Sequence, residues 1–217
     1  MLRSVGFQPM RDRVSNWFSK PGVLLATLYF GTFLGTILGA VQVVQIPLGA
    51  LPEDSQRLGA APIWHFIHVL GGSAFGLLGP IQFSRALKPK YGLMHRFLGR
   101  MFVAAGAMLS LSSLGLLWHF PDAYSPAVNA GRLLFGIALG VALVCAMYAI
   151  CKREFFRHRN WMVRAYAIGI GATVVSMVFF PIYILTGEPP KGLAADILFL
   201  GSWLGCVLFA EGLVRRI

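Results

Sequence analysis

Charge is what this chain has least of. Only 12% of its 217 residues are charged, and 8 acidic side chains stand against 19 basic ones. A soluble globular domain carries about twice that charged fraction, so water is not the main solvent of this fold. Carboxylates are absent from the interiors of the long apolar runs, which argues against a proton- or cation-coupled transporter built on membrane carboxylates. Cysteine is scarce as well. Cys145, Cys151 and Cys206 are odd in number and show no C-x-x-C spacing, so neither a disulfide framework nor a thiolate metal site is indicated. They read as packing residues. No nucleophile, base and orienting group recur together and no phosphate-binding glycine loop is present, so hydrolase and ATPase chemistry have no residues to stand on, and whether the chain is an enzyme stays open.

What is there is apolar surface, 57% of all residues. Uncharged stretches separate Lys20 from Glu53, Arg57 from Arg85, Arg100 from Asp122, Arg132 from Lys152, Arg164 from Glu188 and Asp196 from Glu211. The first five are long enough to cross a hydrocarbon core of ~30 Å at ~1.5 Å per helical residue. The sixth spans if Asp196 and Glu211 sit near the two interfaces. The expected fold is an all-α integral membrane protein. Its six helices cover about 22–45, 62–83, 97–119, 130–151, 161–185 and 193–213, after a basic segment over residues 1–20. The first apolar run is too long for a cleavable signal peptide and reads as a retained span.

The net charge of +11 would suggest nucleic acid in a soluble protein, but its distribution points elsewhere. With the N-terminus cytoplasmic, all basic residues except Arg57, Arg132 and Lys191 fall on the cytoplasmic side. That asymmetry fixes both termini inside by the positive-inside rule. A basic face on anionic membrane lipid accounts for the charge, with no nucleic acid needed.

One device is written twice. In "MHRFLGRMFVAAG" and "RHRNWMVRAYAIG" a His-Arg pair is followed by a glycine eleven residues after the histidine: His95, Arg96 and Gly106, then His158, Arg159 and Gly169. Helices 2 and 3 therefore form one hairpin and helices 4 and 5 a second in the same sense, a parallel repeat about an axis along the membrane normal. A four-helix core of helices 2–5 flanked by helices 1 and 6 follows. Small residues four apart, as in Gly35 with Gly39, Gly136 with Gly140 and Gly201 with Gly205, read as close helix packing inside the bundle.

The repeat sets His95 and His158 at equivalent depths. Two neutral imidazoles across a bundle are what a six-coordinate haem b iron needs, and Arg96, Arg100, Arg159 and Arg164 would then pair with its propionates. The competing reading is interfacial: the same side chains snorkel to lipid phosphates and need no cofactor. His68, about two turns inside helix 2, is a functional-site candidate by its depth. His65 and His119, beside Trp64 and Trp118, read as interfacial polar residues.

At "LLGPIQF", "HRFLGRMF" and "HRNWMVRAYA" the sequence resembles a widespread bacterial family of predicted multipass membrane proteins of unestablished function. The likeness covers roughly residues 60–185. It implies an inner-membrane location and that His68, His95, Arg96, Gly99, Arg100, His158, Arg159, Trp161, Met162 and Arg164 match the family pattern. In layout alone the chain looks like b561-type cytochromes and transmembrane ferric reductases, although helix 4 carries no histidine. Two functions follow as expectations. One is a single-haem electron-transfer protein acting with quinone or a partner complex, and the other a non-redox accessory or lipid-binding subunit of a larger complex.

The charge split predicts a topology that reporter fusions read directly. Fusions at Pro52, Asp122 and Glu188 should behave as external, and those at Lys88, Arg153 and Ile217 as cytoplasmic. An external C-terminus would invert the scheme or remove the sixth span.

Overall fold

The computed structural model describes the backbone of residues 21–51, 59–83, 92–121 and 124–215, with side chains from Leu28 onward. The expected basic segment 1–20 and most of the loop between the second and third helices lie outside the described residues. Six helices account for almost all the rest: α1 Pro21–Gln45, α2 Pro62–Phe83, α3 Gly92–His119, α4 Pro126–Cys151, α5 Phe155–Thr186 and α6 Gly192–Val214. All six are long and apolar enough to cross a membrane, and no strand occurs among the described residues.

Three helices, α3, α4 and α5, begin earlier than the charge pattern implied. α3 starts at Gly92 and α5 at Phe155, so His95, Arg96, His158 and Arg159 stand on helix and not in loops. Charge marks where hydrocarbon ends, and a helix can run on through the headgroup layer. At the other end of the bundle, α4 starts with Pro126 at its first turn, and the Ser125 hydroxyl accepts from the Val128 N–H at 3.1 Å. Proline has no N–H to lose there, and a serine cap satisfies one of the orphan donors. The α4–α5 connection is very tight: Arg153 takes a left-handed φ of 60°, and the Glu154 N–H reaches back to Ala149 O at 2.9 Å.

The core lies among α2, α3, α4 and α5. α1 lies against α2 and α5, and α6 lies against α5 with a lesser contact to α4. At the centre stands Phe75, 1% exposed, its ring stacked on Phe102 at 4.3 Å between centroids and tilted against Tyr166 at 5.7 Å. A Cβ added at Gly106 would lie 2.8 Å from this ring, and one at Gly169 closer still. The two glycines of the doubled device therefore meet on one side chain. The flat group they admit at that depth is the chain's own phenyl ring.

The motif "LLGPIQF" has a local explanation. Gly79 lets the Tyr166 ring lie directly on the α2 backbone, where any Cβ would collide. Pro80 lacks an N–H, which leaves the Gly76 carbonyl one turn earlier without its helical donor. Hydroxyls of α1 reach that turn: Tyr29 donates to Leu77 O at 3.3 Å, and the Thr32 hydroxyl, 3.1 Å from Leu28 O in its own helix, lies 3.5 Å from Gly76 O. In hydrocarbon such groups must be satisfied from within the protein.

Close packing holds for most of the spaced glycines. A Cβ at Gly35 would lie 2.7 Å from Thr173, and one at Gly136 would lie 2.8 Å from Ser113. Gly31, Gly201 and Gly205 differ, with nothing within 4 Å, so the α6 pair faces outward and not into the bundle as its spacing suggested.

Helix packing in lipid rests on such close approach, so the glycines fall into two classes. Gly169→Leu should lower stability by about 1–3 kcal/mol through overpacking against Phe75, whereas Gly201→Leu should leave it unchanged. Thermal unfolding of both variants in detergent checks this. Equal losses would mean that the α6 face is packed.

Candidate functional site

The basic end of the bundle is knitted by the motif residues. Gln82, 6% exposed at the end of α2, faces the first turns of α3. With its amide oriented so that both ends are satisfied, its NH2 donates to His95 Nδ1 at 3.0 Å and to His95 O at 3.3 Å, while its oxygen accepts from the Gly99 N–H at 3.3 Å. Gly99 keeps this approach open, since a Cβ there would sit 3.2 Å from the Gln82 amide. His158, in the second copy, contacts the opposite limb of its own hairpin, with Nδ1 bonded to Ala146 O at 2.8 Å.

The two histidines are therefore not chemically equivalent. His158 must carry its hydrogen on Nδ1 to donate to a carbonyl, which leaves the Nε2 lone pair available for a metal or a donor. His95 accepts at Nδ1, so the hydrogen of its neutral form is on Nε2. Ligation through that nitrogen requires the Gln82 amide to turn. His158 thus fits an axial haem ligand as it stands, and His95 does not.

The arginines also divide. Arg96 and Arg100 are exposed on α3. Arg159 is half-buried beside the Phe156 ring, 5.5 Å from its centroid. Arg164 binds Glu211 of α6 through two bonds, Nε to Oε1 at 2.5 Å and Nη2 to Oε2 at 3.0 Å, and lies over the Trp161 ring at 4.9 Å. A paired arrangement of this kind is the strongest side-chain geometry arginine makes.

His68 lies elsewhere, in the half of the bundle away from the basic end. Its Nδ1 is 3.2 Å from Ser112 Oγ, and that hydroxyl donates to Met108 O at 2.6 Å. The hydroxyl hydrogen is thus spent on the carbonyl, so His68 donates from Nδ1 and keeps Nε2 as an acceptor. His68 also lines a cavity of about 360 Å³ bounded by α2, α3, α4, α5 and α6. Arg132 and Tyr124 line the same space, the guanidinium 4.7 Å from the centre of the tyrosine ring. One wall is aromatic, with Phe135 stacked on Trp203 at 4.8 Å and Phe199 edge-on to Trp203 at 5.0 Å. Ser113, Gly136 and Gly169 leave the remaining wall shallow. A ligand pocket is typically of this size, mostly apolar with a few convergent polar groups.

Arg132 is the residue that sequence reasoning passed over, because a lone arginine at a span's edge looks like a loop charge. Its position two turns after the Ser125 cap and the proline start was the available signal. His65 also differs from expectation. It is 3% exposed and bonded to Gln42 of α1 at 3.1 Å, a link between helices and not an interfacial contact. His119 is exposed and bonded within its own helix to Gly115 O at 2.8 Å. Among the described residues no group of three or more His, Cys, Asp or Glu is placed to hold a metal ion.

Residues 65–214 match the family of predicted membrane proteins designated DUF2306, whose function is unknown. The chain belongs to that family. Within this DUF2306 protein the match takes in α3 to α6 and nearly all of α2, and with them His68, Arg132 and both His-Arg motifs. No curated protein and no solved structure matches the chain.

The Arg164–Glu211 pair predicts a measurable coupling. Arg164→Gln and Glu211→Gln should each loosen α6 from α5, and the double substitution should be less damaging than the sum. The coupling should be about 1 kcal/mol, at the upper end of the range of exposed pairs, because both groups are partly screened from solvent. Stabilities that simply add would show that the pair contributes nothing.

Proposed function

We propose that this DUF2306 protein is a membrane-embedded binding protein whose ligand enters the His68–Arg132 cavity with a hydrogen-bonding head and an apolar body. The observation that carries this is the convergence of a guanidinium, an imidazole acceptor and a hydroxyl on one interior space walled by aromatic rings. Groups of that kind inside a membrane protein are costly to keep, and they mark sites by default. With the positive-inside orientation, the polar end of the cavity opens toward the external leaflet. The inner-membrane location and cytoplasmic termini belong to this same reading.

Haem-based electron transfer is the second reading, favoured by one observation: the His158 Nδ1 bond to Ala146 O holds that imidazole in the tautomer a metal requires. Bound between His158 and a His95 freed from Gln82, haem b would supply one-electron chemistry, with quinone or a partner complex as the redox partner. The accessory-subunit reading is supported by the exposed Arg96 and Arg100, which suit lipid phosphates.

Purification in mild detergent followed by solvent extraction and mass spectrometry tests the first reading. A stoichiometric small amphiphile should accompany the wild-type protein. Arg132→Gln and His68→Ala should each reduce its retention about tenfold to a hundredfold, the loss expected when a hydrogen bond involving a charged or buried group is removed. Unchanged retention in both variants would remove the cavity from consideration. The absorbance spectrum of the same preparation tests haem: a Soret band lost in His158→Ala but kept in His119→Ala supports ligation, and a colourless wild-type protein expressed with ample haem rejects it.

A further inference from the structure

A second cavity, of about 170 Å³, lies among α4, α5 and α6 on the basic side of the first. The two share one lining residue, Ile168. The two cavities therefore adjoin at Ile168, whose backbone carbonyl accepts from Trp203 Nε1 at 2.9 Å. The polar groups are distributed unevenly. His68, Arg132 and Tyr124 belong to the first cavity, whereas the second is apolar apart from the Arg164–Glu211 pair, which bond to each other.

α4 and α6 approach each other away from the basic end, where Phe135 stacks on Trp203 and Leu200 lies against Gly131. Beyond those contacts the second cavity occupies the space between the two helices. Val141 on its rim is 52% exposed, so this space faces the lipid side.

We propose that the two cavities form one tract for a membrane quinone, with the ring in the first and the prenyl tail passing Ile168 into the second and out between α4 and α6. This rests on the reading of the first cavity as a binding site. A flat ring suits the aromatic lining of Phe135, Phe199 and Trp203. Oxygens at opposite edges of the ring suit the two polar groups: Arg132 donates to a carbonyl, and the His68 acceptor nitrogen takes the hydroxyl of the reduced form. A linear apolar tail suits the apolar lining of the second cavity and its exposure to hydrocarbon at Val141. The Arg164–Glu211 pair closes the floor, so the tail turns outward past Val141.

The test uses full-length protein in detergent and two naphthoquinones with the same ring, menadione without a tail and a menaquinone with a short prenyl tail. Equilibrium dialysis measures binding of each. Wild-type protein should hold the tailed quinone at least about tenfold more tightly than menadione, from the added apolar burial. Val207→Phe, on the wall of the second cavity alone, should abolish that advantage and leave menadione binding intact. Val141→Phe, at a lipid-facing rim position, should reduce the advantage in the same direction if Val207→Phe does not fold. The tailed and tail-less rings binding alike in wild type, or the advantage surviving both substitutions, would overturn the tract while leaving the cavity as a binding site. Palmitate binding in place of either quinone would overturn the ring assignment alone. Failure of menadione, tailed quinone and palmitate to bind saturably would overturn both this inference and the binding reading beneath it.

Discussion

The bundle depends on how closely its backbones can approach, because lipid gives apolar side chains no reason to prefer one another. The Phe75 ring states that constraint most clearly. It sits where α2, α3 and α5 converge, and Gly106 and Gly169 are the residues that make room for it. Dispersion contacts are individually small but dense around a ring stacked on Phe102 and touching Tyr166. Everything of chemical interest is placed relative to this plug: the His-Arg motifs lie on one side of it and the His68–Arg132 cavity on the other. Gly169 faces both Phe75 and that cavity, so core packing and the candidate site share a wall.

The sixth helix follows a different logic. Its two acidic residues are each bonded to a neighbouring element, Asp196 to the Ser125 hydroxyl at 2.8 Å and Glu211 to Arg164. Ser125 serves two partners at once, accepting from the Val128 N–H while donating to Asp196. A span that is short in uncharged residues is thus fixed at both ends by polar contacts, with Trp203 packed against Phe135 and Phe199 between them.

Most of the architecture was legible in the sequence, and for a simple reason. Gaps between charges measure hydrocarbon thickness, so they located all six helices, and the doubled motif correctly paired α2 with α3 and α4 with α5. Helix ends were less legible, because α3 and α5 continue through their charged turns. The candidate site was legible only in part. His68 stood out by depth, but the cavity it lines is a property of gaps between helices, and no local pattern joins Arg132 on α4 to Trp203 on α6. The difference between His95 and His158 was likewise hidden, since it lies in what each Nδ1 touches: an amide donor from α2 in one case and a carbonyl from α4 in the other.

The bonded acids of α6 have a consequence for the surrounding bilayer. Asp196 and Glu211 are fifteen residues apart, about 22 Å along a helix axis, against a hydrocarbon thickness of ~30 Å. α6 itself runs 23 residues, about 34 Å, so each acid lies about one turn inside a helix end. Each is met there by a partner on a neighbouring element, Ser125 for Asp196 and Arg164 for Glu211, so the lipid beside α6 faces acids already bonded within the protein.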